Sequence, residues 1–196
     1  MCIRHRNGET FGSAGSYSTT SGWDLTNDRG ETPSAVQSST GDQYAYFKDI
    51  NSTSFYVETE ITVSKDLGDS FPKFGLAARV GDNTLFFYID GSSNYNARRV
   101  GYVSRNDKGE WAWGTNDNKE QQVDIGKYTD GEYVKLGMLR DGNTFKLYVN
   151  DQLIFTVTDV RGFGSDKASV AAVLTFTTGV TIRNYSATTD IASVEK

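Results

Sequence analysis

The sequence predicts an all-β chain folded as a two-sheet antiparallel sandwich, and three observations predict it. Apolar and polar residues alternate with a period of two in segment after segment, as they do in a half-buried strand. About a dozen such segments follow one another, with Gly, Asn, Asp and Ser turn signals between them, the pattern of a sandwich. Nowhere do apolar residues recur at i, i+3, i+4 and i+7 for long enough to specify a helix, and 13% aromatic residues suit strands.

A chain of 196 residues with 37% hydrophobic content can bury one core without staples. The expected organisation is a tail or arm over residues 1–20, a single sandwich over 21–188 and a short tail over 189–196. Net charge is −5, which argues against nucleic acid, because phosphate-backbone binding needs clustered Lys and Arg. No stretch approaches the roughly 18 apolar residues of a membrane helix. The single cysteine, Cys2, allows no internal disulfide, and the single histidine, His5, lies in the tail. One imidazole supports neither a catalytic triad nor a zinc site. Met1 to Asn7 has no apolar run and does not read as a secretory signal. Either the protein is cytoplasmic or the sequence is a domain excised from a longer chain; the Ser, Thr, Asn, Gly and Tyr content favours a module of a secreted or surface-attached bacterial protein.

Taken in order, Gly22-Trp23-Asp24-Leu25 opens the ordered body. Ser34 to Ser38 and Gln43 to Phe47 are short strands either side of Gly41-Asp42. Phe55 to Val63 is the cleanest alternation: Phe55, Val57, Thr59, Ile61 and Val63 form a core face, while Tyr56, Glu58, Glu60 and Thr62 form a wet one. In Phe74 to Val80 the core parity is Phe74, Leu76, Ala78 and Val80, which leaves Gly75, Ala77 and Arg79 opposite. In Leu85 to Asp90 it is Leu85, Phe87 and Ile89, which leaves Phe86, Tyr88 and Asp90 opposite. After a polar tip, Gly91 to Asn96, comes Arg98 to Arg105. Asn106 to Asp117 is a hydrophilic tip or edge hairpin carrying Trp111 and Trp113, and Gln121 to Ile125 is a weak strand. Tyr133 to Arg140 and Thr144 to Asn150 pair across Asp141-Gly142-Asn143, and Asn150-Asp151 turns the chain into Leu153 to Thr158. Phe145, Leu147 and Val149 are core, and Lys146 and Tyr148 are not. Arg161 to Lys167 is a Gly-containing loop. Ser169 to Phe176, with Val170, Ala172, Leu174 and Phe176 as its core parity, and Val180 to Tyr185 close the sandwich.

If the central strands are neighbours, their outer face mixes rings with charge: Arg79, Tyr88, Asp90, Arg99 and Arg105. That mixture suits a flat polar ligand such as a sugar, with Arg and carboxylate groups orienting its hydroxyls. The alternative is a surface ion pair of Arg79 with Asp90, worth little. Trp111 and Trp113, one residue apart on a strand, point the same way and offer stacking faces for pyranose C–H patches. Otherwise they cover an open edge of the sandwich or pack onto the amino-terminal arm. Tyr95, on the neighbouring tip, shares that choice. Two arginines raise the possibility of an acidic sugar.

Arg140-Asp141-Gly142-Asn143 followed by Phe145 to Ile154 resembles the penultimate hairpin of concanavalin A-like lectin/glucanase domains, in particular laminin-G-like and related bacterial modules. Asp151 stands where those domains usually have Gly. Val180 to Ser186 is similar to their final strand and Gly22-Trp23 to their entry, so the resemblance spans Trp23 to Ala187. It implies a jelly roll with one convex and one concave sheet, and a superfamily of lectins, β-glucan hydrolases, carbohydrate-binding modules and adhesion domains. Fold does not choose among these.

The hydrolases of that superfamily carry an acidic signature on one strand, for which Glu58 and Glu60 are the candidates here. The signature's third acid is missing. Residues i and i+2 on a strand stand about 6.5–7 Å apart, against about 5–5.5 Å between the carboxyl groups of a retaining pair. The resemblance also implies a structural calcium near the chain ends, for which Asp24, Asp28 and Asp190 supply hard oxygen ligands, although their spacing matches no loop motif. The expected function is a non-catalytic carbohydrate-binding module. Its ligand, an oligo- or polysaccharide, would lie across the concave sheet and its tips on Arg79, Tyr88, Asp90, Tyr95, Arg99, Trp111 and Trp113. It needs no cofactor. The alternatives are a glycoside hydrolase using Glu58 and Glu60, and a protein-binding adhesion or spacer domain.

Overall fold

A computed structural model describes residues 23–24, 34–37, 43–63, 73–90, 98–113, 120–126, 131–176 and 180–194. Its strands are β1 (Trp23–Asp24), β2 (Ser34–Gln37), β3 (Gln43–Ser52), β4 (Ser54–Val63), β5 (Lys73–Val80), β6 (Asn83–Asp90) and β7 (Arg99–Arg105). They continue with β8 (Glu120–Asp124), β9 (Val134–Asp141), β10 (Thr144–Val149), β11 (Gln152–Val157), β12 (Ser169–Thr175) and β13 (Val180–Thr188). Two antiparallel sheets result, a seven-stranded one in the order β1-β2-β13-β4-β9-β10-β11 and a six-stranded one in the order β3-β12-β5-β6-β7-β8. This is a jelly-roll sandwich: the chain passes repeatedly from one sheet to the other, and the late strands β12 and β13 insert beside early ones. The proposed tail at 1–20 lies outside the described residues, as do Cys2 and His5.

Alternation places the core. Phe55, Val57 and Ile61 of β4, Leu136 and Met138 of β9, and Phe145 and Leu147 of β10 face Phe74, Leu76 and Ala78 of β5 and Leu85, Phe87 and Ile89 of β6. Thr59 sits fully buried in the β4 row, where its hydroxyl donates to the Arg183 carbonyl at 3.1 Å. Each of these strands follows the sequence-predicted parity.

β12 does not. Ala171 and Val173 face the core between the sheets, whereas Val170, Ala172 and Leu174 lie on the outer face with Tyr44, Tyr46, Phe86 and Tyr88. All seven residues of β12 are buried, so both faces are apolar and alternation cannot say which is inner. The wet face of β4 needs a similar correction, because Tyr56 is 2% exposed and meets Tyr148, itself buried, edge-on at 6.4 Å.

Local backbone geometry sets the turns. Asn150 and Asp151 both have positive φ, 48° and 67°, as a type I′ hairpin turn demands. In β13 the register shifts between Arg183 and Ser186, with Asn184 at φ 49°. The bulge reverses the parity after Ile182, so Tyr185 turns into the core at 2% exposure.

Among the described residues one charged side chain has no exposed surface at all. Arg140, 0% exposed, spends all five N–H donors: Nε on the Gly142 carbonyl, Nη1 on the Ser52 carbonyl and Ser169 Oγ, and Nη2 on the Gly164 and Lys167 carbonyls. Its guanidinium lies against the rings of Phe145 and Phe163. Burial pushes its pKa down, and the five acceptors offset that desolvation. Arg140 thereby ties the 160–168 loop to the β9–β10 hairpin.

Candidate functional site

The register of the six-stranded sheet turns its outer face into rows. The first runs Lys73, Asp90, Arg99, Asp124 across β5 to β8, alternating in charge. Asp90 is 3% exposed, with Lys73 Nζ at 3.3 Å and Arg99 Nη2 at 4.0 Å. The second runs Gly75, Tyr88, Gly101, Gln122. A Cβ on Gly101 would meet the Gln121 carbonyl at 2.5 Å and Tyr88 Oη at 2.8 Å. Glycine therefore lets the Tyr88 ring lean across β7, where its Oη accepts from Gln122 Nε2 at 2.8 Å. The third row is Ala77, Phe86, Val103, and the fourth Arg79, Thr84, Arg105.

At the β3 edge Tyr44 and Tyr46 stack at 5.7 Å. The Arg79 guanidinium lies 4.5 Å from the Tyr44 ring centre and donates to Tyr46 Oη. Arg79 pairs with Asp82 at 3.8 Å rather than with Asp90. The two belong to rows six residues apart along β6, about 20 Å at ~3.3 Å per residue. Arg79 therefore cannot share a sugar hydroxyl with Asp90 or Arg99.

The tryptophans cross this gap. Asn106 locks the turn after β7, its Oδ1 accepting from the Lys108 and Glu110 amides at 2.9 and 3.0 Å, and Gly109 has φ +79°. The chain returns with Trp111 bridged to Arg105 and the Ala112 amide donating to the Ser104 carbonyl. Trp111 and Trp113 are both half-buried and lie 5.5 Å apart at 31°. They fold back over the outer face, Trp111 onto Phe86 and Phe176, and Trp113 edge-on to Tyr88 at 5.4 Å. Arg105 lies 5.7 Å from the Trp111 ring and Lys73 Nζ 5.3 Å from the Trp113 ring. The result is an aromatic ridge with a cation at each end. Tyr88, Asp90, Arg99 and Trp113 gather at one end, Arg79 and Trp111 towards the other, and Tyr95 lies outside the described residues.

The far face of the sandwich carries the other carboxylates. Tyr56 Oη donates to Glu58 Oε2 at 2.7 Å, and Lys135 Nζ stands 3.1 Å from both Glu58 and Asp151. Burial, reinforced by Glu58, pushes the Tyr56 phenol far above its ordinary value. Burial alone would lower the Lys135 ammonium, but Glu58 and Asp151 hold it above the usual lysine value. Glu60 meets Arg183 Nε at 2.7 Å, and Arg183 covers the Tyr133 ring. Both glutamates thus sit in cross-strand charge ladders on the sheet that lacks the aromatic ridge. Among the described residues no three His, Cys, Asp or Glu side chains gather as metal ligands would. Asp190 precedes a 3-10 turn at Ile191–Ser193, Asp24 belongs to β1, and Asp28 is outside the described residues. Among the described residues, no helix is long and apolar enough to cross a membrane.

Sequence reasoning missed one region. At the end of the sandwich where β7 stops, a cavity of about 200 Å³ opens between the 106–110 turn and the 160–168 loop, lined in part by Arg105, Trp111 and Arg161. Its legible signal was Val160-Arg161-Gly162-Phe163, in which two apolar anchors flank an Arg-Gly turn.

No family model matches this sequence, nor does any curated protein. Solved structures do match in fold. A toad ovary galectin in complex with thio-digalactose is similar over 76% of this chain and 100% of its own, at TM-score 0.52 and 12% identity. Alginate lyase AlyC3 is similar over 79% of this chain and 75% of its own, at 0.53 and 10%. A functionally unknown protein from Saccharomyces cerevisiae is similar over 85% of this chain and 95% of its own, at 0.56 and 11%. At such identities the likeness establishes the fold alone, a jelly-roll sandwich.

Proposed function

We propose that this chain is a non-catalytic carbohydrate-binding module, part of a longer secreted or surface-attached bacterial protein, that binds an oligo- or polysaccharide along the outer face of its six-stranded sheet. The observation that carries this reading is the ridge of Trp111 and Trp113. Aromatic pairs left half-exposed amid cations and amides offer stacking faces together with hydrogen-bond partners, the combination that sugar rings require. Tyr88 and Asp90 are buried and act from beneath, Tyr88 by setting Gln122 and Asp90 by setting Lys73 and Arg99. The roughly 20 Å between the two end rows favours a ligand several sugar units long. The fold shared with a galectin crystallised on thio-digalactose supports the same reading. A hydrolase built on Glu58 and Glu60 is disfavoured by their pairing with Lys135 and Arg183.

The test is a glycan array probed with the wild-type chain, Trp113→Ala and Arg99→Ala, with melting temperatures taken alongside. Loss of one stacking ring should weaken binding about tenfold, and Arg99→Ala should weaken it while leaving Tm near wild type. Silence of the wild type across a broad array, or binding indifferent to both substitutions, refutes the reading.

A further inference from the structure

The cavity at the end of the ridge has a charge and a rigidity of its own. Arg161 is the second residue of a turn closed by the Phe163 amide donating to the Val160 carbonyl at 3.0 Å, with Gly162 at φ +85°, the form of a type II turn. A side chain on Gly162 would strike Asn83 at 2.2 Å, so the turn is pressed against the β5–β6 connection. Both flanks are anchored: Val160 and Phe163 are buried, and Phe163 meets Phe145 edge-on at 5.3 Å. Arg140 fixes the rest of the loop from inside. Arg161 itself is exposed, and among the described residues it has no ion-pair or hydrogen-bond partner.

Across the cavity stands Arg105, backed by the Trp111 ring and confined by Gly109, where a Cβ would lie 2.8 Å from Arg105 Nη2. The lining has one carboxylate, Glu110, whose Oε2 already accepts from Asn106 Nδ2 at 2.8 Å. Two guanidinium groups, of Arg105 and Arg161, therefore share this lining with one engaged carboxylate. Its volume of about 200 Å³ falls below the roughly 300–1,000 Å³ of pockets that take drug-sized ligands, so it has room for one ring.

We propose that this cavity is a subsite for an anionic sugar unit, a hexuronate whose carboxylate sits between Arg105 and Arg161 while its ring lies at the Trp111 edge of the ridge. The proposal rests on the carbohydrate-binding reading above and narrows it to uronate-containing chains. Planar guanidinium forks match a carboxylate in two-point geometry. Ser104 and Asn106 also line the cavity.

The experiment is titration calorimetry of the whole chain with uronate oligosaccharides, the same oligosaccharides after reduction of the carboxyls to primary alcohols, and neutral hexose oligosaccharides. Each is run with the wild type, Arg161→Gln and Trp113→Ala. The expected result is binding of at least one uronate chain that weakens about tenfold or more on carboxyl reduction and by a similar factor in Arg161→Gln, since charge-assisted bonds are the strong ones. Binding should also fall as salt is raised. Arg161 is exposed, so Arg161→Gln should melt with the wild type. If neutral chains bind and only Trp113→Ala weakens them, the subsite is refuted while the carbohydrate-binding reading stands. Uronate binding unchanged in Arg161→Gln also refutes the subsite. If nothing binds, both fall.

Discussion

Arg140→Met removes a fully buried cation while roughly conserving volume, and its cost follows from what the guanidinium serves. Five acceptors lose a donor together: four carbonyls, of Ser52, Gly142, Gly164 and Lys167, and the Ser169 hydroxyl, although the Gly164 carbonyl keeps the Lys167 amide at 3.1 Å. A buried polar group left unmade costs about 1–3 kcal/mol. The Gly164 and Lys167 carbonyls lie in a surface loop that can open to water, so they belong at the low end of that range. Relief of the Arg140 desolvation, visible in its lowered pKa, offsets part of the total. The net expectation is about 3–5 kcal/mol, the scale for breaking a buried charged network. At roughly 2–4 °C per kcal/mol for a chain of this size, Tm should fall by about 10 °C. Arg140→Lys should fall nearly as far, because an ammonium has three donors and lacks the planar fork that serves acceptors on both sides. Calorimetric melting measures both variants, and hydrogen exchange should show the 160–168 amides opening first. An Arg140→Met chain melting within about 2 °C of the wild type would mean that the loop is held by Val160 and Phe163 alone, and the reasoning would be wrong.

Two further outcomes follow from the same geometry. Gly101→Ala places a methyl 2.5 Å from a backbone oxygen of β8, so β8 must shift at a cost of about 1–3 kcal/mol; because Tyr88 moves with it, Trp113 fluorescence should change too, and a spectrum and Tm like the wild type would contradict the packing. Tyr56, Tyr102 and Tyr148 are all held above the ordinary tyrosine value, by burial first, and Lys135 is also raised. Folded values above unfolded ones contribute stability that is full below about pH 10 and lost as pH rises beyond it. Tm should therefore hold to about pH 9 and drop above about pH 10, less steeply in Tyr56→Phe; an equal slope in that variant counts against the burial account.

Much of the fold was legible because most strands bury one face only. Phe55 to Val63 and Leu85 to Asp90 announce their inner residues by alternation, and the turns at Gly142 and Asn150-Asp151 carry the residue types that positive φ selects. β12 defeated the same reasoning because a strand central to its sheet and covered on both faces has no polar side to mark the outside. β13 defeated it differently: the Asn184 bulge adds one residue and reverses parity, so Tyr185 reaches the core although a strict period of two puts it outside. The Arg140-Asp141-Gly142 motif was read as a mark of fold. Its reason, a guanidinium joining two segments far apart in the chain, requires knowing what lies above the strand.

On the outer face of β5 to β7, which residues share the face was legible, and which of them meet was not. Rings and charges on the outer parity of β5 to β7 follow from period two, but which of them meet depends on register, and register is fixed by pairings that a single strand does not encode. Hence Arg79 with Asp90 was a natural pair in the sequence, whereas the sheet gives Asp90 to Lys73 and Arg99 and sends Arg79 to Asp82 and the tyrosines. The same register explains why Tyr88 can be fully buried in a polar row, since glycines stand on both sides of it. Tyr88 supports Trp113 from below and accepts a hydrogen bond from Gln122. On the proposed carbohydrate-binding reading, a face that exposes few rings and brackets them with cations would select ligands by where their hydroxyls and charges fall along the ridge rather than by apolar area.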